Sequence, residues 1–169
     1  MWLGAAIFFG ASVAPALFGV MRSAGLVNAN ELAGAVVTRT LSFLNKGGFE
    51  IALFALVTAF FVNRNQRPVA RAVEVLSLAI MAIMTGVSQW LITARMVALR
   101  AAMNGTIDQV SFTDPRRIEF DSLHRYSTTV MMVAMLAGLT AFLITTSSSM
   151  RTSRSNHQVR TVSPSGETG

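Results

Sequence analysis

The amino-acid sequence predicts an all-α integral membrane four-helix bundle, with an additional amphipathic, interfacial helix after the first span. Three observations carry that expectation. Of 169 residues, 52% are hydrophobic and only 13% charged, with a mean hydropathy of +0.52, whereas a soluble domain has about a quarter of its residues charged. Four apolar stretches fill most of the chain. The polar residues gather mainly at helix ends that alternating spans would bring to one membrane face.

The first span is expected at about residues 2–21, since Met1 to Val20 carries no charged side chain and roughly 20 apolar residues cross the ~30 Å hydrocarbon core. No Lys or Arg precedes the run, and Pro15 follows the only Ala-rich pseudo-cleavage site. The segment therefore reads as a retained helix, not a cleaved signal peptide. Pro15 should kink it and free a carbonyl near Ala11.

An amphipathic helix follows over about residues 30–45, with Leu32, Val36, Val37, Leu41 and Leu44 on one stripe and Glu31, Arg39 and Ser42 elsewhere. Asn28 or Asn30 could cap its start. The second span, residues 47–63, is short: Gly47 to Val62 has 16 residues, Glu50 among them, or about 24 Å of helix. Gly47-Gly48 permits either a break before it or one long helix, and the break is the preferred reading.

The third helix, from about Arg71 to Met103, crosses the membrane over residues 74–97, and the fourth, from Pro115, crosses over residues 124–146. Asp114 before Pro115 is a helix start, because the carboxylate accepts from exposed amides and Pro fits the first helical position. Asn104-Gly105 marks a turn. Both helices exceed the bilayer, so Arg95, Arg100, Arg116, Arg117, Glu119 and Asp121 should protrude and pair in water, at about 0 to 1 kcal/mol per pair. Residues 147–169 form a disordered basic tail by composition.

For orientation, six basic residues, Arg64, Arg67, Arg71, Arg151, Arg154 and Arg160, lie on the side of the termini, against eight on the other. Density in the short connector favours both termini in the cytoplasm, with the protein in an inner or plasma membrane. The net charge of +6 and pI near 11.5 read as a solvated basic rim. No cluster of basic and aromatic residues suits base stacking, so no nucleic-acid partner is expected. The expected partners are the lipid bilayer and either further copies in a homo-oligomer or another membrane protein.

The chain holds no cysteine, which excludes disulfides and thiolate metal sites. His157 lies in the tail, so one chain cannot offer two axial histidines to a haem within the bundle. Met81, Met84, Met131, Met132 and Met135 read as adaptable core filler and not as soft-metal ligands. Ser127, Thr128 and Thr129 follow His124 with no carboxylate at a triad spacing, so neither a catalytic residue nor a cofactor is expected.

Two polar features are candidates for function. Along the third helix, Glu74, Ser77, Thr85 and Ser88 recur with Met81, Ile92 and Arg95 on one face that must turn toward other helices. At one membrane boundary, Arg22, Glu50, Gln89, Arg95, His124 and Arg125 end or begin the spans, and Glu50 needs a partner that Arg95, His124 or Arg125 could supply. Small-residue faces, Gly4, Ala11, Pro15 and Gly19 on the first helix and Ser127, Ala134, Gly138 and Ala141 on the last, permit close helix approach.

Two blocks resemble a known family. Residues 4–18, Gly-Ala-Ala-Ile-Phe-Phe-Gly-Ala-Ser-Val-Ala-Pro-Ala-Leu-Phe, and residues 120–127, Phe-Asp-Ser-Leu-His-Arg-Tyr-Ser, are similar to the transmembrane protein 205-like domain family. The resemblance spans about residues 1 to 146 and implies a four-helix membrane protein; bacterial members are largely described as a domain of unknown function. Pro15, Phe18, Leu123, His124, Arg125 and Ser127 match its pattern. The functional expectation is a helix-packing structural or accessory interaction module. The alternative is a small oligomeric transporter or permeability modulator using the polar cluster at one membrane face.

Overall fold

The computed structural model describes residues 1–62, 68–103 and 107–161. Four helices form the bundle: α1 (Trp2–Ser23), α2 (Ala29–Val62), α3 (Pro68–Ala102) and α4 (Pro115–Thr161), with a 3-10 turn at Ile107–Gln109 between the last two. All four are long and apolar enough to cross a membrane, and no strand occurs among the described residues. α3 is central, packing along α2 on one side and α4 on the other, while α1 lies mainly against α2.

Beside a buried cluster of Ile92, Met96, Leu99, Met103 and Phe120, much of the packing inverts that of a water-soluble core. Ala33, Ala52, Ala59, Ala134, Ala141, Asn45, Thr85 and Ser88 are buried, whereas Phe8, Phe54, Phe60, Phe61, Leu91, Leu136 and Phe142 are exposed. Ala52 is 0% exposed and Phe54, two residues on, is 76%. Large apolar side chains point at lipid, where they lose nothing, and small ones let the helix backbones approach for van der Waals contact.

α1 ends as glycine dictates: Gly25 has φ +67°, and its N–H donates to the Arg22 carbonyl at 3.1 Å, a left-handed helix terminus that other residues adopt at a cost. Ahead of Pro15, α1 passes through a π-helical stretch, Phe9–Val13, in which the Ala14 N–H donates to the Phe9 carbonyl. The adjustment to proline is thus a widened turn upstream of it.

α2 corrects the sequence reading. The expected break at Gly47-Gly48 is absent, and the amphipathic segment and second span are one continuous helix of 34 residues. Gly48 serves contact, not flexibility: a Cβ there would lie 2.7 Å from Trp2 Cε2, and the Trp2 indole Nε1 donates to the Leu44 carbonyl at 2.7 Å. Asn28 precedes α2, its carbonyl accepting from Leu32 N–H at 3.0 Å.

α4 continues to Thr161, beyond the expected end at residue 146. No Pro or Gly interrupts the chain before Pro164, and the hydroxyls of Thr146 and Ser147 satisfy themselves locally by donating to carbonyls four residues back, at 3.0 and 2.7 Å. Residues 162–169 of the expected disordered tail, the Asn104-Gly105 turn, and Arg64 and Arg67 lie outside the described residues.

The α3–α4 connection is latched by two arginines. Arg116 Nη1 donates to the Ala102 carbonyl at 2.6 Å, closing the end of α3, and Arg117 Nη1 donates to the carbonyls of Ile107 and Val110, the latter at 2.8 Å. The expected start of α4 is observed: Asp114 Oδ1 accepts from the Arg116 N–H at 2.8 Å. Hydrogen bonds from the Arg116 side chain, and then from its backbone, hold the Asp114 carboxyl below its ordinary pKa. A depressed folded-state pKa contributes stability above the unfolded value near 3.9, lost as pH falls through the folded value. Asp114→Ala is expected to lower the thermal midpoint at pH 7, with the difference from the parent chain closing in acid; thermal scans across pH check this.

Candidate functional site

Among the described residues, one concavity lies toward each end of the bundle. The first, of about 170 Å³, lies between all four helices at the charged end, lined by Phe18 of α1, Asn30, Gly34, Val37, Thr38 and Leu41 of α2, Thr93, Met96 and Arg100 of α3, Ile107, and Phe120, Asp121, His124 and Ser127 of α4. Arg100 is its principal charge. The guanidinium sits 5.4 Å over the Phe120 ring, with Nε 3.3 Å from Glu31 Oε1, and both side chains of that pair are largely withdrawn from the surface. Glu31 also accepts the Ile107 N–H at 3.2 Å, tying α2 to the connection. Gly34 makes room, since a Cβ there would lie 3.0 Å from Arg100 Nη2.

Beside this cavity lies a polar seam between α2 and α3. Asn45, fully buried, donates through Nδ2 to Ser88 Oγ at 2.9 Å, and Gln89 Nε2 donates to Ser42 Oγ at 3.0 Å. The Ser88 carbonyl, within a second π-helical stretch at Val87–Ile92, accepts from the Thr93 hydroxyl at 2.8 Å. The oxygens of both amides, Asn45 Oδ1 and Gln89 Oε1, meet no partner among the described residues. Such seams specify which helix faces meet, at about 0.6 kcal/mol per hydrogen bond within membranes.

The expected inward turn of the third-helix face is observed, with Glu74, Ser77, Thr85 and Ser88 all buried and Glu74 Oε1 accepting from the Thr145 hydroxyl at 3.1 Å. The six-residue boundary cluster is not assembled. Arg95 pairs instead with Glu119 at 2.7 Å on the surface. Glu50 is exposed: in an unbroken α2 the inward positions are Asn45, Gly48, Ala52 and Ala59, and residue 50 lies about 200° around from residue 48. Arg22 bonds the Phe18 carbonyl of its own helix, Gln89 joins the seam, and Arg125 is exposed. Of that cluster, His124 alone lines the cavity.

The family-like motif behaves differently. Phe18, His124 and Ser127, from opposite ends of the sequence, converge on the cavity, and Leu123 packs against the cluster of Met96, Leu99 and Phe120 beneath it. Pro15 and Arg125 are exposed. Sequence reasoning missed Glu31, Gly34 and Arg100 as site residues. The Glu31 and Arg100 signals were present as charges on apolar helices, but their meeting depends on antiparallel register. Among the described residues no three metal-binding side chains converge.

The second concavity is an apolar groove of about 730 Å³ at the opposite end, between α2, α3 and α4 and ahead of the start of α1. α1 begins at the level of Gly48 and Gly138, both beside the Trp2 ring. Among the described residues, α1 does not run alongside Phe49–Val62, about 21 Å of α2. Ile51, Ala55, Thr58, Ala59, Leu78, Gly138, Ala141 and Phe142 form the walls, with Glu74 and Thr145 at the far end.

Comparison with curated proteins and with solved structures gives no match. The profile described as a domain of unknown function, DUF4149, matches residues 1–105, more than half of the chain, and therefore covers α1, α2 and α3, including the Arg100 side of the cavity. This four-helix membrane protein belongs to the DUF4149 family.

Proposed function

We propose that the chain is a non-enzymatic accessory module of the membrane that seats one apolar helix of another membrane protein in the groove between α2, α3 and α4. The groove itself is the observation that carries the reading. Its floor is of small residues, Ala59 and Ala141, with Ala55 beside them, between the exposed rings of Phe54 and Phe142, the relief that accepts a helix backbone closely where association depends on packing and not on exclusion of water.

The absence of cysteine makes the test direct. A benzophenone attached at Ala55→Cys, inside the groove, is expected to crosslink a protein helix, and one at Val57→Cys, on the lipid face, to crosslink lipid. Filling the groove with Thr58→Trp should abolish the protein adduct. Lipid adducts from both positions defeat the proposal, and a product of twice the chain's mass makes the occupant a second copy.

The narrower assignment to the transmembrane protein 205-like branch is proposed on the meeting of Phe18, His124 and Ser127 around one cavity, two of which lie beyond the matched residues. Both termini are read as cytoplasmic, from the density of Arg64, Arg67 and Arg71. An impermeant maleimide that labels Ser147→Cys in intact cells reverses that orientation.

A further inference from the structure

The cavity at the charged end contains an arginine that is ion-paired with Glu31 but donates no side-chain hydrogen bond to any described residue. We propose that it binds a small carboxylate with a short apolar body, whose two oxygens are taken by the Arg100 guanidinium. The site is separate from the apolar groove, so the proposal stands independently of the groove's occupant.

Arg100 is three-quarters withdrawn from the surface, with a side-chain exposure of 24%. No described residue accepts a hydrogen bond from it. The nearest carboxylate oxygen, Glu31 Oε1, forms an ion pair with Nε at 3.3 Å but lies outside hydrogen-bonding geometry, and Nε is buried with no hydrogen-bond partner. A guanidinium carries five N–H donors in a planar fork, and buried donors are almost always satisfied. The ligand group matching that fork is a carboxylate bound through both oxygens.

The rest of the cavity fits the rest of such a molecule. His124 and Ser127 add donors, while Phe18, Val37 and Phe120 supply apolar wall. A volume of about 170 Å³ is close to the roughly 150 Å³ that accommodates benzene, which admits an acid of five or six heavy atoms such as propionate. Of the carboxylates nearby, Glu31 faces Arg100 through Nε and Oε1 alone while its Oε2 accepts the Ile107 N–H, and Asp121 pairs with Arg117 at 4.0 Å. Gly34 preserves the space in which the fork lies.

The test uses the full chain in nanodiscs with ¹³C-propionate, reading saturable binding by NMR. One site per chain is expected. Arg100→Lys, which keeps the charge and loses the fork, should weaken binding roughly tenfold, the factor that one charge-assisted hydrogen bond carries. Inorganic phosphate should compete more weakly than propionate, and propylammonium, of similar size and opposite charge, not at all. Absence of saturable binding, equal affinity of the Lys variant, or competition by propylammonium overturns the proposal, and phosphate competing better than propionate overturns the preference for an apolar body. If Arg100→Lys does not fold, His124→Ala at an exposed position gives the comparison: binding at parental affinity in that variant counts against the site.

Discussion

Gly48→Ala is expected to undock the start of α1 and destabilise the bundle by about 2 to 4 kcal/mol, combining overpacking of about 1 to 3 with a lost hydrogen bond of about 1. The added methyl would meet Trp2 Cε2, Cζ2 and Nε1 at 2.7 to 2.8 Å. The indole is a rigid bicycle pinned by its bond to the Leu44 carbonyl and flanked by Gly138, whose Cβ position is 3.6 Å from Trp2 Cζ3. Movement in any direction loses contact. Trp2 fluorescence should shift toward that of an unpacked indole, and unfolding in denaturant should begin earlier. Gly47→Ala, where a Cβ meets nothing within 4 Å, is the matched control and should stabilise slightly through helix propensity.

Ala134→Leu is expected to cost about 1 to 3 kcal/mol or more through overpacking, because Ala134 is 0% exposed on the inward face of α4. One turn further along, a Cβ at Gly138 would lie 3.2 Å from Met81 Sδ. At Ala134 and Gly138 the small-residue face of the last helix is therefore packed on α3 and Trp2 within the same chain, while Ala141 lies in the floor of the groove. Its counterpart on α1 looks outward, since Cβ atoms at Gly4 and Gly19 would meet nothing within 4 Å and Ala11 and Pro15 are exposed. Thermal unfolding of Ala134→Leu beside Ala11→Leu checks the contrast, with a clear loss at the first position and little change at the second.

Those two faces show what the sequence could and could not convey. Composition and the four apolar runs were enough for the class of fold, and Asp114-Pro115 carried its own meaning because a helix cap is local chemistry. The burial of Glu74, Ser77, Thr85 and Ser88 was legible for the same reason, as spacing on a single helix. Gly47-Gly48 was not. A glycine pair signals a break and a close approach alike, and the choice depends on Trp2, distant in sequence and adjacent in space.

The boundary cluster failed through azimuth. Grouping helix ends by membrane depth places Glu50 near Arg95 and His124, but depth says nothing about which way each side chain faces, and a continuous α2 turns Glu50 away. The cavity that does form combines Gly34, Arg100 and His124 from three helices, a coincidence of register between α2 and α3 that no short motif records. The resemblance motif found its α1 and α4 walls because those residues travel together as blocks, whereas the arginine between them stands alone in an otherwise ordinary helix end.

The π-helical stretch at Val87–Ile92 has a consequence for how this chain can vary in length. A π turn accommodates one more residue than the α turn it replaces, so Val87–Ile92 holds a surplus position within α3. Losing a single residue there, at exposed Trp90 or Leu91, would convert the stretch to regular α-helix and leave the halves of α3 facing as they do. The same deletion elsewhere would swing everything downstream by about 100°. α3 thus contains a place, beside the polar seam, where a codon can be lost without scrambling the bundle.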